Sequence, residues 1–181
     1  FLKNVNTGNR AVPGKKVAVI GGGNAAIDVA RTLLRLGARP VVLYRRTVEE
    51  MPALEEEVEK ALEEGIEIRT LTLPVEASKT NDRIKLACIK MKLGEPDASG
   101  RPRPEPVPGS EFTAEFDAVL EALGEEPDLS IVPEHCLDDA GKLRIDETSA
   151  CPGGNIFAGG DFVNGPSTVV QSIASGKQAA E

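Results

Sequence analysis

The residues best suited to chemistry sit in one short run, Gly21-Gly22-Gly23-Asn24-Ala25-Ala26. Its spacing is GxGxxA, and each small residue has a physical task in a dinucleotide site. Gly21 allows a sharp turn, Gly23 lets a pyrophosphate approach the backbone, and the small Ala26 lets a helix pack close to a strand. The exposed N–H groups where that helix begins would hold the phosphates, because the helix dipole and the unsatisfied donors both favour an anion there. Gly21, Gly22, Gly23, Asn24, Ala25 and Ala26 are therefore the candidate phosphate-binding residues. The alternative is a tight glycine turn with no ligand.

A second chemical signal follows at Tyr44-Arg45-Arg46. A site for NAD usually carries Asp or Glu at this point, to accept a hydrogen bond from the ribose 2′-hydroxyl. Here the next acid is Glu49. A carboxylate would repel a 2′-phosphate, whereas a guanidinium grips one with two hydrogen bonds, so Arg45 and Arg46 point to NADP(H). The two side chains point in opposite directions if the strand continues, which leaves open whether one or both reach the phosphate.

A third signal is Asn155-Ile156-Phe157-Ala158-Gly159-Gly160-Asp161. It reads as a buried strand ending in two glycines and an acid, at the edge where open α/β sheets bind ligands. Asp161 there can accept hydrogen bonds from sugar-like hydroxyls, or it can cap a turn. A helix from about Ser167 would aim its positive end at an electron-rich group.

These residues need elements to position them. Lys15-Lys16 leads into the short apolar run Val17-Ala18-Val19-Ile20, a strand. Apolar positions 26, 27, 30, 33 and 34 recur at helical spacing, and Gly37 can stop that helix. Pro40–Tyr44 reads as the next strand, which completes a βαβ unit with parallel strands. A second helix is expected over 51–64, burying Met51, Leu54, Val58, Ala61 and Leu62, with a third strand at Ile66–Thr70. Ile84–Leu93 has strand character, Gly94–Arg103 reads as a hairpin loop, and another extended segment lies near Val107–Phe116. Asp117–Leu123 returns as a strand and breaks at Gly124. Beyond Pro127, short strands are expected at 143–146 and 155–158, then a helix start at Gly165-Pro166-Ser167-Thr168 and a final helix using Val169, Val170, Ile173, Ala174 and Ala180. The fold class is α/β, a Rossmann-like parallel sheet with an antiparallel β-meander.

Composition narrows the function. With 181 residues, 40% apolar and 28% charged, the chain has the balance of a globular protein. No apolar run approaches the ~20 residues of a membrane span, and no basic-then-apolar start marks a secretory signal. Residues 1–46 carry nine Lys or Arg against one acid, Asp28, while the remainder carries 12 basic and 28 acidic groups. That asymmetry suggests a local anion site and not a nucleic-acid surface, and five Phe, one Tyr and no Trp offer little for stacking bases. Cys88, Cys136 and Cys151 form no CxxC pair, which fits a reduced, cytoplasmic setting. With a single His they argue against a zinc site. His135-Cys136 reads as structural or surface, and no side chain stands out as a general acid or nucleophile.

Three stretches together carry a family resemblance: Val17–Asn24; Tyr44-Arg45-Arg46 followed by Met51-Pro52-Ala53; and Phe157–Asp161 with Gly165–Val170. The chain resembles the small (β) subunit of NADPH-dependent glutamate synthase and related flavoprotein oxidoreductases of the pyridine nucleotide–disulfide type, over essentially its whole length. The resemblance implies an NADPH domain inserted in an FAD domain. Electrons would pass from NADPH to FAD, then to iron–sulfur clusters and a large catalytic or iron–sulfur partner subunit. It implies that Gly21–Ala26 hold the NADPH pyrophosphate and that Arg45 and Arg46 hold its 2′-phosphate. Gly124 would lie near the nicotinamide side, Gly160 and Asp161 at the ribityl chain of FAD, and the backbone near Ser167 and Thr168 facing the flavin. The implied domains are a connecting segment at 1–14, an NADP(H)-binding domain at 15–124, and the C-terminal segment of a second, FAD-binding Rossmann-like domain at 125–181. Glu125 stands where the family commonly has Gln. The glycine fingerprint for the ADP half of FAD is expected upstream of Phe1, so the chain alone is expected to be inactive. A non-catalytic NAD(P)-sensing domain is the competing reading, and an electron-transfer subunit with another partner is a third.

Overall fold

The computed structural model describes residues 1–96, 100–124, 127–165 and 167–180. The chain divides into two compact units, Phe1–Gly124 and Glu125–Glu181.

The first unit holds α1 (Leu2–Asn6), β1 (Lys16–Ile20), α2 (Asn24–Arg35), β2 (Arg39–Leu43), α3 (Glu55–Glu63), β3 (Glu67–Arg69), β4 (Thr72–Thr80), β5 (Arg83–Pro96), β6 (Pro102–Pro106), β7 (Phe112–Phe116) and β8 (Ala118–Glu121). A parallel sheet runs in the order β3-β2-β1-β8. A second, antiparallel sheet has β5 at its centre, paired with β4, β6 and β7. The near-continuous apolar runs of β1 and β2 are explained by burial on both faces. Val17, Val19 and Val42 join Ala26, Ile27, Ala30 and Leu33 of α2, and Val58 and Ala61 of α3, in one core. The alternate residues Ala18, Val41 and Leu43 face Leu86, Cys88 and Phe116 in a second core, so the antiparallel sheet lies on the opposite face.

Several boundaries differ from the sequence expectation. The second helix begins at Glu55, not at residue 51. Met51 is extended (φ −70, ψ 130) because Pro52 follows it and disfavours the helical region. Met51, Val58 and Ala61 are buried, but Leu54 is 64% and Leu62 47% exposed. β4 was not expected at all, since six of its nine residues are exposed and its pattern is mostly polar. Its Pro74 sits beside the irregularity in pairing with β5, where a missing donor is tolerated. The expected loop at 94–103 is shorter, with β5 extending to Pro96 and β6 starting at Pro102; residues 97–99 of that loop lie outside the described residues. β6 alternates Pro102, Pro104 and Pro106 along a sheet edge, where prolines also discourage further strand pairing. Val107–Ser110 is a turn, and the strand expected near there is β7.

The second unit contains short 3-10 turns and two helices, α4 (Asp161–Asn164) and α5 (Val169–Ala180). The strands expected at 143–146 and 155–158 are reduced to isolated bridges, Leu137 with Leu143 and Ala150 with Phe157. Side-chain hydrogen bonds to Asp146 from the backbones of Thr148 and Ala150 close a loop there in place of a ladder. Phe157 is 55% exposed, so the expected buried strand is neither buried nor a ladder. Among the described residues no helix is long and apolar enough to cross a membrane.

Candidate functional site

The glycine run joins the carboxyl end of β1 to the first turn of α2. Gly21 has φ +144, and a Cβ on it would collide with the carbonyl oxygen of Ala122, just beyond β8. Its N–H donates to Leu43 O at 3.1 Å, and Ala122 N–H donates to Ile20 O at 2.8 Å. The turn is thus clamped between the ends of β2 and β8. A Cβ on Gly22 would lie 2.5 Å from the ring of Tyr44. Gly23 differs. It caps α2 in extended geometry (φ −88, ψ 175), and the nearest atom to its would-be Cβ is Pro52 Cγ at 4.0 Å. Ala26 is fully buried and lets α2 sit against the sheet, while Asn24 and Ala25 are exposed at the helix start.

The segment after β2 folds back over this turn. Ala53 N–H donates to Gly22 O at 3.1 Å, and Leu54 N–H donates to Asn24 Oδ1 at 2.8 Å. The Asn24 side chain is therefore engaged in bracing Pro52-Ala53-Leu54, a role its position in a glycine fingerprint does not reveal.

β2 ends at Leu43, so the arginine pair lies beyond the strand, and the two side chains separate in the bend that follows it. Arg45 is exposed, whereas Arg46 is 6% exposed and its Nε donates to Pro102 O at 2.8 Å. Tyr44 is buried, and its Oη donates to Glu50 O at 2.6 Å. A residue the sequence reading passed over joins this group. Arg101 donates through Nη2 to Tyr44 Oη at 3.0 Å and to the Glu50 carbonyl oxygen, and its Nε lies 3.8 Å from Glu50 Oε2. Arg101 comes from the β5–β6 hairpin, so no local motif at the end of β2 could reveal it. Gly124 lies beyond β8, at the same carboxyl edge of the sheet, with φ +103 and open space around its would-be Cβ. Its neighbour Glu125 falls outside the described residues. Gly21–Ala26, Arg45, Arg46 and Gly124 are thus gathered at the edge where open α/β sheets take ligands. A cavity of about 450 Å³ lies at the opposite edge, lined by Lys15, Lys16, Arg39, Arg83 and Asp117 among others, away from the strands' carboxyl ends.

In the second unit, Asp161 Oδ1 accepts from Ser167 Oγ at 2.6 Å, Ser172 Oγ at 2.9 Å and Ser167 N–H at 3.1 Å. The Ser167 and Ser172 hydroxyls hold its carboxyl below the usual aspartate range. Gly160 has φ +70 and donates to Ser175 Oγ at 2.9 Å, so the glycine pair lets α5 approach closely. Thr168 and Gln171 form a capping box at the start of α5. Thr168 N–H donates to Gln171 Oε1 at 3.0 Å, and Gln171 N–H donates to Thr168 Oγ1 at 3.3 Å. The spacing Thr-x-x-Gln was a readable signal for it. Pro166 lies outside the described residues.

Known proteins resemble this chain in sequence and in fold. The chain is 42% identical to the NADPH-Fe(3+) oxidoreductase subunit beta of Geobacter sulfurreducens, with 99% of this chain and 31% of that protein covered. It is 44% identical to the NADP(+)-dependent formate dehydrogenase subunit beta of Moorella thermoacetica, over 99% and 26%. It is 40% identical to the glutamate synthase [NADPH] small chain of Escherichia coli, over 94% and 38%. The chain therefore spans well under half the length of these relatives. Among solved structures, the fold is shared with FprA from Mycobacterium tuberculosis, at TM-score 0.74 and 17% identity over 96% of this chain and 53% of that one. Thioredoxin reductase from T. acidophilum shares it at TM-score 0.71 and 18% identity, over 92% and 50%. The pyridine nucleotide-disulphide oxidoreductase family model matches residues 2–176, and with relatives at 40% identity or above over nearly its whole length, the chain belongs to that family.

Proposed function

We propose that residues 15–124 are the NADP(H)-binding domain, and 125–181 the C-terminal segment of the FAD-binding domain, of a flavin-dependent oxidoreductase. In the complete protein NADPH would supply a hydride to FAD, and the electrons would leave towards iron–sulfur clusters or a partner subunit. The observation that carries this reading is the difference among the three glycines. The Cβ positions of Gly21 and Gly22 are filled by Ala122 and Tyr44, while that of Gly23, at the head of a twelve-residue helix, is open. A pyrophosphate lying against Gly23 would meet backbone N–H groups and the positive end of α2 without a side chain in the way.

This chain's own residues then have separable tasks. Gly21 and Ala26 hold the turn and helix against the sheet, Asn24 braces the segment over the turn, and the exposed Arg45 is placed to meet the 2′-phosphate. Asp161, Gly160, Ser167 and Thr168 are proposed for the flavin side. There, the Asp161 carboxylate braces α5 and would present its remaining oxygen to a sugar hydroxyl. The three relatives are all named for NADPH or NADP(+) and as a subunit or small chain, which supports the cofactor and a partner subunit. Their names differ in the reaction served, so the partner is proposed to be set outside this shared module. Cys88, Cys136 and Cys151 are all free and buried, which supports a reducing cytoplasmic setting.

The test is Gly23→Val, titrated with NADPH by nicotinamide fluorescence. The backbone there is extended and open, so the variant should fold as the parent does, yet lose NADPH affinity by at least ~tenfold as the side chain enters the phosphate's approach. Unchanged affinity would place the phosphate site elsewhere.

A further inference from the structure

We propose that Arg101, carried on the β5–β6 hairpin, is a specificity-determining residue that grips the 2′-phosphate of NADP(H) together with Arg45. The proposal rests on the dinucleotide reading of the glycine turn. In a βαβ dinucleotide site the adenosine ribose falls at the carboxyl end of the second strand. Here that point is Tyr44, immediately after β2. The Arg101 guanidinium is bonded to Tyr44 Oη, and the ring of Tyr44 lies against Gly22 of the turn. Arg101 is thus within one side chain of both features of the site, although 56 residues separate it from Arg45.

Three observations make Arg101 the better second cation than Arg46. Arg46 is buried, and its Nε is spent on the carbonyl of Pro102. That bond ties down β6 at the residue next to Arg101, so Arg46 seats the hairpin. Arg101 keeps 38% of its side chain exposed. Finally, among the described residues its hydrogen bonds all run through Nη2, and Nη1 makes none. With Nη2 engaged by Tyr44 and the Glu50 carbonyl, Nη1 is left to donate to a phosphate oxygen, and the guanidinium keeps its full charge. Glu50 is the competing acid. Its carboxylate lies 3.8 Å from Arg101 Nε, close enough to orient the guanidinium and too far for a hydrogen bond.

The experiment is an equilibrium titration of the full chain and of Arg101→Ala and Arg101→Lys, each with NADPH, NADH and 2′,5′-ADP. The expected result is that Arg101→Ala weakens NADPH and 2′,5′-ADP by ~tenfold or more and leaves NADH within about twofold, while Arg101→Lys recovers part of the loss, a lysine being a single point charge. If the parent prefers NADPH and Arg101→Ala keeps that preference, or loses NADPH and NADH equally, the proposal falls while the dinucleotide reading stands; Arg101 would then only brace Tyr44. If the parent binds none of the three, both fall together.

Discussion

A methyl group on Gly21 would strike the carbonyl of Ala122, and it would also have to accept φ +144, a backbone region that L-residues rarely enter. Gly21→Ala is therefore expected to destabilise the protein by roughly 1–3 kcal/mol, read as a lower midpoint in urea, before any question of ligand arises. The opposite expectation for Gly23→Val, loss of binding with the fold intact, makes the pair a test of which glycine serves the chain and which the cofactor. The sequence shows three adjacent glycines and a spacing rule, and the spacing already assigns the sharp turn to Gly21 and the phosphate approach to Gly23. What it does not contain is the position of Tyr44 over Gly22 or of Asn24 beneath Leu54, because both depend on the path of residues 44–54. The arginines show the same limit. Strand alternation would have made Arg45 and Arg46 diverge only if β2 continued, and it ends at Leu43; the burial of Arg46 requires β6, and the arrival of Arg101 requires the hairpin.

Among the elements, β1 and β2 were legible as short buried apolar runs, α2 by apolar residues at helical spacing, and β8 by its short apolar run before Gly124. β4 and β6 were not, since an exposed strand and a proline-alternating edge strand have no apolar pattern to read. Asp117 holds two of these elements together. Its Oδ2 accepts from the N–H groups of Lys15 and Lys16 at 2.8 and 2.7 Å, and its Oδ1 from Arg83 Nη2 at 3.2 Å, so it fixes the start of β1 beside β8. The Lys16 N–H first, then Arg83, depress its carboxyl below the usual aspartate range. A depressed acid stabilises the fold above its unfolded value, ~3.9, and that stability is lost as pH falls through the lower folded value. Urea unfolding of the parent and Asp117→Ala at pH 7 and pH 3 should therefore show the variant less stable at pH 7, with the gap narrowed at pH 3. A gap of the same size at both values would mean that the carboxylate's charge is not what holds the strand.

For the whole molecule, the apolar residues Ile156, Phe157, Val169, Val170 and Ile173 of the second unit are all exposed, Val169 and Val170 at 76% each. The 181 residues also carry a single glycine fingerprint, the one followed by the arginines. The chain on its own is accordingly expected to purify colourless, without NADPH-dependent dye reduction, and to self-associate through these exposed apolar residues, as flavin-band absorbance and sedimentation velocity would show. A yellow, active monomer would contradict this. The family was legible because its motifs are local and ordered along the chain, whereas the electron acceptor was not, since its recognition is not written into a cofactor-binding module. The turn at Gly21–Ala26, with the cation beyond β2, is proposed to select NADP(H). The most direct measurement is the dissociation constant of the chain for NADPH and for NADH, with Arg45→Ala alongside. A charge-assisted phosphate contact contributes ~1.5–3 kcal/mol, so NADPH should bind at least ~tenfold more tightly than NADH, and Arg45→Ala should erode that ratio without weakening NADH. Equal affinity for the two, or no saturable binding of either, would show that the turn and this cation do not select NADP(H).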